Sequence, residues 1–409
     1  MPQICLYFQL HQPYRLQNFE VFDLGNNSSY FFSEKNDLNR LVFQKVANKS
    51  YLPMLRLLND LLHRHDNFKF ALSCSGVFLE QALFYEKEII QLIKDAVKTG
   101  RLELLSETYY HSLAFLYSKD EFIHQVDKHR NLIKKLFNFE TKVFRNTELI
   151  YANEIIDLLD DFDFLGVLTE AVDRYLQGRT RTQLFASQSL NKVPLLLKHA
   201  KLSDDLAFRF SNRSWLWYPL TVDRYLEWIQ IYPEESLVNL FMDFETFGEH
   251  QWVDTGIFDF FAELIKRFLD KSWNHFVLPS EIFKQYAVKQ RSASFKLSQK
   301  KLNKLAIYDV PDYISWADID RDLTAWRDNQ FQYDSLRILY SMEDKILNSN
   351  NEQLVEDWRR LQTSDHFYYM CTKWAADGDV HAYFNPYKSP FEAYRKYSIV
   401  LADLRERLL

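Results

Sequence analysis

Ser236-Leu237-Val238-Asn239-Leu240-Phe241-Met242-Asp243-Phe244-Glu245-Thr246-Phe247-Gly248-Glu249-His250-Gln251-Trp252 decides how the rest of the chain is read. Leu237–Met242 is a short apolar run of strand character that stops at two carboxylates with one residue between them. In a parallel barrel the strand C-termini carry the reacting groups, and residues i and i+2 of a strand share a face. Asp243 and Glu245 are therefore expected to point into one pocket, with Phe247, His250 and Trp252 as its walls. A lone Asp-x-Glu is more often a charged turn, so the reading depends on whether strand ends of this kind recur.

They do. Residues 3–10 read as a strand stopped at His11-Gln12-Pro13, because proline cannot donate to a ladder. Phe68–Ser73 is the next, followed by Leu102–Ser106 before Glu107-Thr108-Tyr109-Tyr110-His111. Val143-Phe144 precedes Arg145-Asn146-Thr147-Glu148, and Phe164–Leu168 precedes Glu170. Leu206–Phe210 leads into the polar, aromatic Ser211-Asn212-Arg213-Ser214-Trp215, and Phe276–Leu278 ends at Pro279. Helical spacing fills the gaps: after Asp37, over 54–63, from Gly76 to Lys98 with Gly100 in the C′ position, over Lys119–Phe137 and over Asn153–Leu159. A further helix, capped by Asp254, buries Ile257, Phe261, Leu264, Ile265 and Phe268, and Gly25-Asn26-Asn27-Ser28-Ser29 reads as loop. About seven such βα units predict an α/β fold with a parallel sheet closed into a barrel.

Beyond Ile282 helices dominate, clearest over Ser335–Leu347, Asn351–Leu361 and Ser389–Leu409, the last opened by the capping box Ser389-Pro390-Phe391-Glu392. The expected division is a barrel over residues 1–281 and a helical region over 282–409. The second part nevertheless contains Thr363-Ser364-Asp365-His366-Phe367-Tyr368-Tyr369-Met370, as dense in functional residue types as the barrel loops.

Composition narrows the partners. A net charge of −6 argues against nucleic acid or an anionic membrane surface, and no run approaches the ~18–20 apolar residues of a membrane span. The strand at Gln3 leaves no room for a secretory pattern, so a cytoplasmic location is expected. Three cysteines without close spacing support neither disulfides nor a zinc ribbon. Aromatic residues reach 16% while glycine occurs only 8 times in 409 residues, and rings left over from the core suit the C–H faces of pyranoses.

Candidate chemistries can then be eliminated. None of the 11 histidines lies four residues from another, as a helical zinc pair would need, which disfavours a metal-dependent deacetylase. There is no Gly-x-Ser-x-Gly elbow, no Gly-x-Gly and no Gly-Lys-Ser/Thr. What recurs is a carboxylate just after an apolar strand, at Glu107, Glu148, Glu170, Asp243 and Glu245. Glycoside cleavage needs two such groups converging on the scissile bond.

His11-Gln12-Pro13, the Gly76–Glu80 segment, Phe144-Arg145-Asn146-Thr147-Glu148, Asp243-Phe244-Glu245-Thr246-Phe247-Gly248 and Ser364-Asp365-His366 resemble, in order, the five sequence regions of the family 57 glycoside hydrolases, most closely the α-amylase-like branch. The resemblance spans nearly the whole chain. It implies a distorted (β/α)7 barrel with a helical region packed across its mouth. It also implies retaining action on α-glucans or maltooligosaccharides, without a metal or other cofactor. On this likeness Glu148 is the nucleophile and Asp243 the general acid/base. His11, Glu80, Glu245 and Asp365 match positions lining the adjacent sugar subsite. The resemblance also takes in Glu107-Thr108-Tyr109-Tyr110-His111 and Phe208-Arg209-Phe210-Ser211-Asn212-Arg213; His366 and His250 adjoin matched motifs, and Arg213 and Trp252 are further candidates for binding substrate. Arg145 stands where other branches have tryptophan and Phe244 where they have glycine, which alters the subsite but neither catalytic carboxylate. The expected activity is α-amylase-like hydrolysis of α-1,4 linkages; the alternatives are a 4-α-glucanotransferase, a branching-type transglycosylase, or a catalytically silent α-glucan-binding protein. Oligomeric state is left open.

Overall fold

Alternate residues of the first strand enter different cores. In β1 (Gln3–Leu10), Ile4, Leu6, Phe8 and Leu10 pack outward against helices, while Cys5 and Tyr7 point into a smaller inner core. The strand β8 (Leu237–Asp243) behaves alike, with Val238, Leu240 and Met242 outward and Leu237 and Phe241 inward. The two run parallel in a register from Gln3 opposite Leu237 to Gln9 opposite Asp243. With a period of 2, the face that carries Cys5 and Tyr7 in β1 and Leu237 and Phe241 in β8 ends at Gln9 and Asp243, and the buried Asn239 amide on that face donates to the Leu197 carbonyl. The register thus delivers polar side chains to one rim.

The computed structural model describes residues 2–26, 29–34, 37–289, 295–373 and 385–408. Asn27 and Ser28 of the expected loop, and Leu409 at the end of the expected last helix, lie outside the described residues. Between β1 and β8 come β2 (Phe70–Cys74), β3 (Leu102–Leu104), β4 (Val143–Arg145), β5 (Gly166–Thr169), β6 (Phe185–Ser187) and β7 (Pro194–Leu197). After them come β9 (Ala287–Lys289), β10 (Phe295–Leu297) and β11 (Ala306–Tyr308). One sheet has the order β3-β2-β1-β8, all parallel. A second has the order β11-β6-β7-β5-β4, antiparallel at β6–β7, and β9 and β10 form a separate antiparallel pair.

The fold is α/β, and the expected barrel is not closed by continuous ladders. The sheets meet on one side through a parallel bridge between Ser106 and Phe144. On the other, the Leu237 N–H donates to the Thr182 carbonyl at 2.7 Å and the His199 N–H to the Asn239 carbonyl at 2.8 Å. Residues of both sheets, among them Tyr7, Ala71, Val143, Leu168, Leu196 and Phe241, share the inner core. After residue 282 the chain forms the β9–β10 pair and then supplies β11 to the second sheet, so its beginning is not dominated by helices. Helices Gln330–Ser341, Glu352–Leu361 and Pro390–Glu406 follow and bury Leu336, Trp358 and Tyr397 against the β4–β5 side.

Several local expectations change. Leu206–Phe210 is helical, because Leu202, Leu206 and Phe210 are buried at intervals of four while Phe208 is exposed, and Arg209 pairs with Asp205 one turn back. Phe276–Leu278 forms only a bridge from Phe276 to Ile4. The Gly76–Lys98 helix is two, Gly76–Tyr85 and Lys87–Lys98, broken at Glu86. Asp254 sits in a short 3-10 turn, and Gly256, at φ +79°, precedes the helix Ile257–Leu269. Gly248 is required where it stands: at φ +104° its missing side chain leaves room for the Lys49 carbonyl, which a Cβ would meet at 1.9 Å.

Candidate active site

The C-terminal strand ends open into a cavity of about 540 Å3. Gln9 and His11 reach it from β1, Lys198 from β7, and Asp243 and Glu245 from the end of β8. Glu148 enters from the turn after β4, and Trp316, Arg321 and Asp365 from the segments beyond β11. Asp243 and Glu245 do share the pocket, but through a turn: the strand stops at Asp243 and Phe244–Thr246 coils into a 3-10 turn that brings Glu245 round.

Glu148 is held at both oxygens. Its Oε1 lies 3.0 Å from His111 Nε2, and its Oε2 accepts the Trp316 indole N–H at 2.7 Å. Its backbone is left-handed, φ +58°, a conformation that costs a non-glycine residue on the order of 1–3 kcal/mol and persists where the surroundings enforce it. The enforcing contact is main-chain: the Trp316 N–H donates to the Glu148 carbonyl at 3.1 Å. Burial would raise the Glu148 pKa, but the His111 and Trp316 hydrogen bonds and the His111 charge outweigh it and hold the carboxyl below its ordinary value.

Asp243 is pushed the other way. Burial first, and the Glu148 charge second, raise it to about 7, against weaker opposition from Lys198, Arg145 and His111. Glu245 rises to about 8 through burial and the Asp243 charge, although the Tyr51 hydroxyl donates to it at 2.5 Å. Near neutral pH the cavity therefore holds an ionised Glu148 facing carboxyls that retain protons.

The expected residues divide. His11, Glu148, Asp243, Glu245, His250 and Asp365 line the cavity together. His11 Nε2 donates to Asp365 at 2.9 Å, the Ser75 hydroxyl donates to its Nδ1 at 2.7 Å, and His250 stacks on Phe208 with ring centroids 5.9 Å apart. Glu80 lies outside the lining, accepting from Tyr109 at 2.7 Å and Arg360 at 3.1 Å. His366 is buried against Phe31 and Tyr397, Trp252 is exposed beneath Lys49, and Arg213 is exposed on its loop. Residues that the strand-end pattern missed are Trp316 and the charged group in which Lys198 and Arg321 each contact Asp204 at 2.9 Å; Glu170, which that pattern does pick out, lies beside them. Trp316 lies in the stretch Trp316-Ala317-Asp318-Ile319-Asp320-Arg321-Asp322, whose density of polar and aromatic types was its only sequence signal. Among the described residues no group of three or more His, Cys, Asp or Glu side chains is placed to hold a metal ion, and no helix is long and apolar enough to cross a membrane.

An α/β sheet system that gathers carboxyls of opposed protonation at its strand ends defines a site suited to glycosidic-bond chemistry. Comparison with known proteins gives the family: residues 5–297 match Glycosyl hydrolase family 57, and the chain belongs to it. A curated protein of Methanocaldococcus jannaschii named "Putative alpha-amylase" is 38% identical over 410 residues, which is 98% of this chain and 83% of that one. The alpha-amylase of Pyrococcus horikoshii is 22% identical over 45% of this chain, a stretch that is 25% of its own length. A GH57 branching enzyme of Thermococcus kodakaraensis, solved in complex with glucose, shares the fold at TM-score 0.65 and 12% identity, covering 100% of this chain and 94% of that one. The 4-alpha-glucanotransferase structure of Thermococcus litoralis aligns at TM-score 0.57 and 15% identity, over 96% of this chain and 54% of its own.

Proposed function

We propose that this member of the family is a retaining, α-amylase-like hydrolase of α-1,4-linked glucans, with Glu148 as nucleophile and Asp243 as general acid/base. The observation that carries the reading is that one cavity brings Glu148, its carboxylate bonded to His111 and the Trp316 indole and so held below its ordinary value, together with Asp243, which burial and the Glu148 charge push up to about 7. In the first step the Glu148 carboxylate attacks the anomeric carbon and the glycosidic C–O bond breaks, while Asp243 gives its proton to the leaving oxygen. In the second, Asp243, now a carboxylate, takes a proton from water. The water oxygen bonds to the anomeric carbon, the ester breaks, and the Glu148 carboxylate is restored. His11, Asp365, Glu245 and His250 are proposed to bind the sugar beside the cut bond, with Trp316 fixing Glu148. On this reading residues 1–281 and 282–409 form one catalytic unit, because Asp365 and Trp316 come from the second.

A sugar hydroxyl can replace water in the second step, and a curated relative in Thermococcus litoralis is named 4-alpha-glucanotransferase, so transfer is the competing outcome. Incubation with single-length maltooligosaccharides separates the readings. Shorter products alone are expected. Longer and shorter products together would make the protein a transferase, and an unchanged substrate that still binds would make it a silent glucan-binding protein.

A further inference from the structure

Both ring nitrogens of His111 face carboxylates: Nδ1 lies 2.9 Å from Glu107 Oε2 and Nε2 3.0 Å from Glu148 Oε1. A neutral imidazole has one N–H and would turn a lone pair toward one of the two anions; the imidazolium is the form that gives an N–H to both carboxylates. Glu107 is fully buried, absent from the cavity lining, and has the buried Arg145 guanidinium 3.5 Å away. The His111 ring is fixed from its backbone outward. Its φ is +53°, its N–H donates to the Thr108 carbonyl at 3.1 Å, and its carbonyl accepts the Ser364 N–H at 2.9 Å, one residue before Asp365. The ring also stacks on His11 with centroids 4.0 Å apart at 25°. Two imidazoles this close strongly disfavour a second positive charge. His111, with two carboxylates, carries the charge, and His11, with one, stays neutral and donates its single N–H to Asp365.

We propose that Glu107 and His111 are positioning residues for the reaction, a buried carboxylate–imidazolium dyad that aims Glu148 and keeps it ionised, coupled through the ring stack to the His11–Asp365 pair. The proposal rests on Glu148 being the nucleophile and adds what sets its charge and orientation. Glu107 makes the device reusable. When Glu148 becomes an ester and loses its charge, the imidazolium still has Glu107 as counter-ion. The N–H on Oε1 is then already in place for the charge that returns when the ester breaks, so no reorganisation is needed. Burial disfavours the His111 cation, yet its bonds to Glu107 and Glu148 raise it to about 9, and His11 is lowered by burial and by the His111 charge. Other groups facing the dyad include Arg145, His129, which burial lowers, beside the Glu107 N–H, and the Asp243 and Asp365 carboxyls, which feel the His111 charge; the Gln9 amide, its Oε1 taken by Arg145, places its Nε2 3.1 Å from His111 Nε2.

The test uses His111→Gln and Glu107→Gln in the full chain. On maltooligosaccharides each is expected to lower kcat/KM about ten- to hundredfold, mostly in kcat. In His111→Gln the acid limb of the pH profile should move to higher pH, because Glu148 loses its counter-charge. A role confined to packing would lower activity at every pH without moving that limb, and an unmoved limb overturns the proposal. Nitrogen-15 NMR of the histidine-labelled wild type gives a second readout that does not need active variants. At pH 8 one histidine protonated at both nitrogens is expected, its signal absent in His111→Gln, and a wild type without any doubly protonated histidine overturns the dyad. A chain inactive on every glucan would overturn Glu148 as nucleophile, and the NMR signal would still support or overturn the dyad separately.

Discussion

Replacing Asp243 by asparagine should stabilise the protein in alkaline solution while disabling it. Burial and the Glu148 charge raise this carboxyl from an ordinary 3.8 to about 7. The folded state therefore binds a proton that the unfolded chain has released throughout the interval between those values. Its contribution to stability is fully present below pH 3.8, declines through the interval, and is at its worst once the pH passes 7. Three units at ~1.36 kcal/mol each come to about 4 kcal/mol, and solvent at the cavity mouth reduces this to about 2–4 kcal/mol. Asparagine has the same shape and nothing to ionise. Urea unfolding of wild type and Asp243→Asn at pH 4, 6 and 8 should show a gap under about 1 kcal/mol at the lowest pH, widening to about 2–4 kcal/mol in favour of the variant at the highest. A gap that does not grow with pH, or a wild type more stable at pH 8, would refute the raised protonation on which the acid/base assignment depends.

Three further outcomes are expected. The profile of kcat/KM against pH should be bell-shaped, with an acid limb below the ordinary glutamate range from Glu148 and an alkaline limb near 7 from Asp243, and Asp243→Asn should remove the alkaline limb. Asp365→Ala should leave the fold intact, by circular dichroism, but lower kcat/KM at least about tenfold, because a charged acceptor in the cavity is worth ~1.5–3 kcal/mol; kinetics identical to wild type would remove it from sugar binding. Gly248→Ala should lower the melting temperature by several degrees, since its Cβ would collide with the Lys49 backbone, and an unchanged melting temperature would show that this turn adjusts freely.

Where burial alone dictates pattern, the chain was legible. The β1 and β8 strands and the helix at Lys119–Phe137 lie where apolar spacing puts them. Leu206–Phe210 misled because five residues cannot distinguish a strand from one turn of helix; the decisive partner, Leu202, lies outside that window. Five of the described strands went unseen, Phe185–Ser187, Pro194–Leu197, Ala287–Lys289, Phe295–Leu297 and Ala306–Tyr308, since three or four residues leave no period to count. At the cavity, residues that directly follow strands, such as Glu148, Asp243 and His11, were readable from position. Trp316 and Arg321 were not, because the loop that carries them reaches the cavity through tertiary packing that no local spacing encodes. Glu107 and His111 were visible as residue types, but their joint role depends on a ring orientation that only coordinates give.

The bond between His11 and Asp365 joins residues 354 apart in the chain. At ~5–20 residues per second of synthesis, roughly 20–70 s separate the emergence of one partner from that of the other. Glu148 and then Asp243 are made within that interval, both ahead of Trp316, whose indole clamps the first, and of Asp365, whose carboxylate holds His11. A chain that ends before Trp316 therefore lacks both the indole and the carboxylate that complete the cavity wall.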